Sequence, residues 1–242
     1  MDKHSDLYGK ALIDFNNGNY TEDLHVLSPT MEDDVLPLPY LFRLYEEMPP
    51  IEKKALSLCK GNVLDVGAGA GSHSVYLESK KFNITALDQS DGAIKVLHQR
   101  LQKPNSTIIK ENIWQHNGRY DTILLLMNGT GIFEKLEKVP LCLELLKNML
   151  SENGQILLDS SDLKFLFEDP EDGGLWVDSS KEYYGEVSFS LQYKKVESEL
   201  FDWLYMDFEL LKSYAVAAGF QIECVYKGDH HDYLARLTIA IG

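Results

Sequence analysis

The residues best placed to do chemistry are two acids and three glycines. In Val63-Leu64-Asp65-Val66-Gly67-Ala68-Gly69-Ala70-Gly71 an acid stands two positions before a glycine-rich turn, and Asp88 ends the next apolar run, 21 residues beyond Gly67. Glycines at alternate positions let the backbone turn sharply and approach a ligand with no Cβ in the way. An acid about 20 residues past such a turn is where a ribose diol is gripped. The chemistry implied is nucleoside binding. To position these groups, Val63, Leu64 and Val66 must form a short buried strand, Ser72–Ser79 a helix, and Ile84-Thr85-Ala86-Leu87 a second strand. That order puts the ligand at the carboxyl edge of a parallel sheet.

The nucleoside is narrowed by what the turn lacks. A dinucleotide fingerprint needs glycine or alanine where Ser72 stands, and a P-loop needs a Gly-Lys-Ser/Thr ending that is absent. Asp65 would repel a pyrophosphate but suits a cation. S-adenosyl-L-methionine has a ribose, an ammonium, a sulfonium and no phosphate, so it fits both acids. At these residues the chain resembles the class I, Rossmann-like S-adenosylmethionine-dependent methyltransferases. Asp65-x-Gly67-Ala68-Gly69-x-Gly71 is similar to their first motif, and Asp88-Gln89 to their second. Ser106–Ile109 resembles the third strand, followed by Glu111-Asn112-Ile113. The family usually has an acid there for the adenine amino group; Asn112 offers an uncharged acceptor instead. Tyr120–Asn128 resembles the fourth motif, with Met127 and Asn128 at its carboxyl end, and Gly154–Ser161 resembles strand five after a helix from Pro140 to Leu150.

The resemblance implies an α/β fold: a doubly wound, mostly parallel seven-stranded sheet with a terminal antiparallel hairpin, an antiparallel β insertion after strand five and an N-terminal helical segment. It also implies S-adenosyl-L-methionine as cofactor and S-adenosyl-L-homocysteine as product. Plainer readings stand beside it. Asp88 can serve as a helix N-cap before Ser90-Asp91-Gly92, Asn128-Gly129 as a simple turn, and His73 as a packing or capping residue.

Composition narrows the partners. The 242 residues are 44% hydrophobic and 25% charged, suited to one α/β domain with insertions. The net charge of −15, from 38 acids against 23 bases, disfavours nucleic acid and an anionic membrane surface. Cys59, Cys142 and Cys224 are far apart and point to neither a disulfide framework nor a metal site; His230-His231, in a strand-joining loop, is discounted as metal ligands. No signal peptide and no apolar run of roughly 18 residues is apparent, so a cytoplasmic location is expected.

Three segments follow: residues 1–60 as a helical cap, 61–162 with 207–242 as the cofactor-binding core, and 163–206 as an inserted substrate cover. In the cap, helices are expected over Ser5–Asn16, Pro39–Glu47 and Ile51–Cys59, with a loop around Glu32-Asp33-Asp34. Tyr40 and Arg43 are candidates for substrate and cofactor contact, against packing and a surface ion pair. In the cover, Val187–Tyr193 and Phe201–Tyr205 alternate with strand period. Trp176, Tyr184, Phe189 and Trp203 are candidate acceptor contacts, against a packed sheet face. Asp207 is read as the cap of a helix over Phe208–Ala218 stopped by Gly219, before a final hairpin.

The activity expected is in-line methyl transfer to oxygen or nitrogen of a small-molecule acceptor. Asp159 is a candidate substrate contact, and Asp159, Asp162 and His116 are candidate bases, none distinguished. The alternatives are a non-catalytic cofactor-binding protein, a protein methyltransferase, or another nucleotide-using enzyme, such as a dehydrogenase.

Overall fold

A computed structural model describes residues 6–166 and 183–240. The chain opens with helix α1 (Leu7–Asn16), strands β1 (Leu24–Leu27) and β2 (Asp34–Leu36), and helices α2 (Leu38–Leu41) and α3 (Pro50–Leu58). The alternating core is β3 (Asn62–Val66), α4 (Ser72–Ser79), β4 (Asn83–Asp88), α5 (Asp91–Arg100), β5 (Ser106–Lys110), β6 (Tyr120–Leu125), α6 (Val139–Asn148) and β7 (Leu150–Ser161). Then come β8 (Glu186–Tyr193), β9 (Val196–Glu197), β10 (Phe201–Leu204), α7 (Phe208–Ala217), β11 (Phe220–Lys227) and β12 (Asp232–Ile239).

The main sheet has seven strands in the order β11-β12-β7-β6-β3-β4-β5. Pairing is parallel from β7 to β5 and antiparallel where β12 meets β7 and β11 meets β12. Strands β3, β6 and β7 read as continuous apolar runs because both their faces are covered. Leu64, Ile123 and Leu158 pack under α6 and α7, while Val63, Leu124 and Leu157 face the opposite way, toward α3. The chain runs outward from β3 to β5 and returns to β6 beside β3, so the switch point, where ligands of such sheets bind, lies at the carboxyl ends of β3 and β6. Ser90 caps α5 by accepting the Ala93 N–H, so Asp88 is not needed for that task. Asp207 caps α7 through the Leu210 N–H, and Gly219, at φ +81°, ends it.

Residues 1–60 depart from the helical expectation. The span expected as one helix from Pro39 to Glu47 splits into α2 and a 3-10 turn, Tyr45–Glu47. The stretch read as loop supplies β1 and β2, and β1 pairs with β8, His25 opposite Gln192. A second, antiparallel sheet, β10-β8-β1-β2 with β9 beside β8, therefore joins the N-terminal segment to the insertion. Strand β7 starts at Leu150, not Gly154, because a register shift near Tyr120 lets Leu150 pair with that residue. Trp176 lies outside the described residues. Among the described residues no helix is long and apolar enough to cross a membrane.

Candidate active site

The glycine turn leaves β3 in left-handed backbone, with φ +69° at Gly67, +55° at Gly69 and +82° at Gly71. The Gly67 and Ala68 N–H groups donate to the Leu87 carbonyl at 2.9 and 3.0 Å, tying the turn to the strand that carries Asp88. Asp88 closes the link: its Oδ2 accepts the Gly69 N–H and its Oδ1 the Ser90 N–H, both at 2.8 Å. Burial pushes the Asp88 carboxyl above its ordinary range against the pull of those two bonds. Each oxygen keeps acceptor capacity for a ribose hydroxyl.

Asp65, 2% exposed, accepts the Ser74 hydroxyl at 2.6 Å. Burial raises its pKa, and nearby His73 only partly offsets this. Beside it, Arg43 forks onto the Glu52 carboxylate while His73 Nε2 lies 2.9 Å from Glu52 Oε2. Arg43 is 4% exposed, so it is a buried ion-pair partner, not a surface one, and its guanidinium lies 4.0 Å from the centre of the Tyr40 ring. Burial disfavours the Glu52 carboxylate, yet the His73 hydrogen bond and the charges of His73 and Arg43 outweigh it and hold its pKa below the ordinary value. A cavity at the switch point is lined by Arg43, Asp65, Gly67, His73, Met127 and Tyr8.

Tyr8 went unseen in the sequence. Helix α1 lies against α5, where Asp6 accepts the Gly92 N–H at 2.9 Å, and this carries the Tyr8 hydroxyl to the space a Gly69 Cβ would fill. The hydroxyl has no hydrogen-bond partner among the described residues. A lone aromatic in an amphipathic helix carries no signal that separates this role from packing.

After β6, Met127 and Asn128 are both left-handed, at φ +67° and +59°. Asp159 accepts the Met127 and Gly129 N–H groups, and burial lifts its pKa to about 6. The Trp203 ring packs where a Cβ on Gly131 would stand, which brings the second sheet against this turn. Tyr184 and Phe189 share a cluster with Trp203 and Leu163; Phe189 is buried in it, and the Tyr184 hydroxyl donates to Asp162 at 2.7 Å. Tyr40 is 39% exposed.

Beyond β5, the Asn112 amide donates to Gln89 Oε1 and its oxygen accepts the Trp114 N–H, both at 3.0 Å. That oxygen, expected to face an amine, is already in use but keeps a second lone pair. Ile113 is buried behind it. His116 is closed off between Glu111 (2.7 Å) and the Tyr120 hydroxyl (2.8 Å). A separate hollow lined by Gly61, Lys80 and Lys81 lies at the amino ends of the strands, away from these groups.

A family model described as a methyltransferase domain matches residues 39–225. An S-adenosylmethionine-dependent methyltransferase from Bacteroides fragilis, solved with S-adenosyl-L-homocysteine, is 40% identical, with a TM-score of 0.90 over 100% of this chain and 98% of that one. The chain belongs to the S-adenosylmethionine-dependent methyltransferases. Two more distant structures share the fold. A Clostridium acetobutylicum methyltransferase is 14% identical, with TM-score 0.59 over 81% of this chain and 94% of its own. The CcbJ methyltransferase of Streptomyces caelestis is 13% identical, with TM-score 0.60 over 80% and 97%. A search of curated proteins by sequence found no match. The residues of this methyltransferase fit its cofactor. Among the described residues the buried Asp65 carboxylate has no direct ion-pair partner and so suits a cation, Asp88 has lone pairs to spare, and the Tyr8 hydroxyl has no hydrogen-bond partner.

Proposed function

We propose that this methyltransferase moves the methyl of S-adenosylmethionine to an oxygen or nitrogen of a small-molecule acceptor. The observation that carries the proposal is one cavity bordered on one side by the glycine turn and Asp65, and on the other by the Met127 turn. Binding of S-adenosyl-L-homocysteine by the 40%-identical neighbour supports the choice of cofactor. When bound, the cofactor supplies a methyl made electrophilic by its sulfonium.

Asp88 takes the ribose hydroxyls, with Gln89 beside it. Asp65, with the Gly67, Ala68, Gly69 and Gly71 backbone, faces the ammonium. Arg43, whose terminal nitrogens have N–H groups left over from Glu52, takes the carboxylate. Asn112 and Ile113 border the adenine, and Met127 and Asn128 the sulfonium. Tyr40, Asp159 and Trp203, with Tyr184 and Phe189, define the acceptor side. Residues 1–60 and 163–206 together act as a cover over the core of 61–162 and 207–242, excluding water from the transfer. The −15 charge favours a small acceptor over nucleic acid. Asp159, Asp162 and His116 all have partners already, which favours an acceptor that arrives deprotonated over one that needs a base.

The test is incubation with methyl-labelled S-adenosylmethionine and separate metabolite, peptide and RNA fractions of a cell extract. Label is expected in the metabolite fraction. Label in peptide or RNA alone would overturn the small-molecule assignment.

A further inference from the structure

At the carboxyl end of β7 three consecutive side chains hold the turn that follows β6. Asp159 Oδ2 accepts the Met127 N–H at 3.1 Å, and Oδ1 accepts the Gly129 N–H at 3.0 Å. The Ser161 hydroxyl donates to Asn128 Oδ1 at 3.0 Å. The Ser160 and Thr130 hydroxyls lie 2.6 Å apart, and Thr130 donates to the Leu204 carbonyl at 2.8 Å. Thr130 has one hydroxyl proton, so Ser160 is the donor between them. Ser160 in turn accepts the Met206 N–H at 3.0 Å. Leu204 ends β10, the strand whose Trp203 ring packs on Gly131.

The turn needs these ties. Left-handed backbone costs a residue such as Met127 about 1–2 kcal/mol and an asparagine less, and Met127 and Asn128 adopt it in succession. Such a turn gathers backbone N–H groups into an anion-binding concavity. Here the protein fills that concavity with its own carboxylate, so the strained turn is held in the absence of ligand.

We propose that Asp159, Ser160 and Ser161 are positioning residues for methyl transfer. They fix Met127 and Asn128 in the left-handed form that borders the cavity, and through Thr130 they lock the second sheet to the same turn. Asp159 thus acts through the backbone and is not the base. The role rests on the proposed placing of the acceptor beside this turn.

The test uses the full chain, with backbone amide NMR, hydrogen exchange and S-adenosylhomocysteine titration on wild type and Asp159→Asn. A charge-assisted hydrogen bond contributes about 1.5–3 kcal/mol. The carboxamide of Asp159→Asn keeps one acceptor oxygen and turns its NH2 toward the other amide, so exchange accelerates by roughly tenfold or more at whichever of Met127 and Gly129 faces the NH2. The expected result is that acceleration, with the same amide resonance shifted upfield, S-adenosylhomocysteine affinity within a few-fold, and a sharply lower rate of labelled transfer to extract metabolites. Should Asp159→Asn fail to fold, Ser161→Ala is expected to move the Asn128 carboxamide resonances and lower the same transfer. Unchanged exchange or unchanged transfer, with S-adenosylhomocysteine still bound, overturns the positioning role alone. Wild type that binds no S-adenosylhomocysteine overturns the methyl-transfer reading and this role with it.

Discussion

Gly69→Ala tests the site through two separable costs. Gly69 has φ +55°, where an L side chain is strained by about 1–2 kcal/mol, and an added Cβ would collide with the Tyr8 hydroxyl. The next ring atom, Cζ, would stand 3.5 Å away, in ordinary contact. Tyr8→Phe therefore removes the collision and leaves the strain. The free turn of the variant relaxes out of this conformation and binding must restore it, so at about 1.4 kcal/mol per tenfold the strain weakens cofactor binding by up to roughly 30-fold, and the collision adds to it. Losing the Tyr8 hydroxyl in an otherwise intact site costs about 0.5–1.5 kcal/mol, a tenfold change or less. The double variant should then bind S-adenosylhomocysteine more tightly than Gly69→Ala alone, although one of its changes is harmful by itself. Titration calorimetry on the four proteins of the cycle measures this coupling. Strictly additive losses would refute the placement of Tyr8 against the glycine turn.

Other substitutions separate the parts of the site. Trp203→Ala should lower acceptor turnover while S-adenosylhomocysteine affinity stays within a few-fold, read by labelled transfer beside calorimetry; equal losses in both would count against an acceptor-side role. Glu52→Ala strands Arg43 in a buried site and should destabilise the fold by about 3–5 kcal/mol in urea, with Glu52→Gln milder. Asp159, its pKa raised to about 6 by burial and set among Glu52, His73, Tyr40 and Tyr233, binds its proton more tightly folded than unfolded. Its contribution to stability is therefore greatest at low pH and is lost as pH rises from about 4 to about 6, by roughly 3 kcal/mol. Urea melts of wild type and Asp159→Asn across that range should differ by this slope; parallel curves would exclude the titration.

The half of the candidate site proposed to hold the cofactor is legible in the sequence because its groups are contiguous. The Asp65–Gly71 turn and Asp88 lie within one strand-helix-strand unit, and the structure joins them by the Gly69–Asp88 hydrogen bond. Ser90, not Asp88, is the helix cap, and Asp88 instead accepts the Gly69 and Ser90 N–H groups. The second sheet was half legible. Val187 and Phe189 announce a strand by alternation, but β1 is four residues long and its partner β8 lies at the far end of the chain. Short strands paired over such distances leave no local pattern. Glu52 sits in a helix with Lys53 and Lys54, and only the arrival of Arg43 and His73 from other elements shows that it is buried. Asp159 stands out in the sequence as a chemical group, but its hold on the Met127 and Gly129 N–H groups depends on the left-handed turn at Met127 and Asn128, which nothing local in either segment announces.

The methyl-donor nucleoside is proposed to bind against the glycine turn and Asp88. Calorimetric titration of S-adenosylhomocysteine into wild type and Asp88→Ala tests it most directly, with NAD titrated alongside. Saturable binding by wild type is expected, with a loss of about tenfold or more in the variant from the missing charge-assisted bonds, and no heat from NAD. No binding by wild type, equal binding by Asp88→Ala, or NAD displaced by S-adenosylhomocysteine would contradict it.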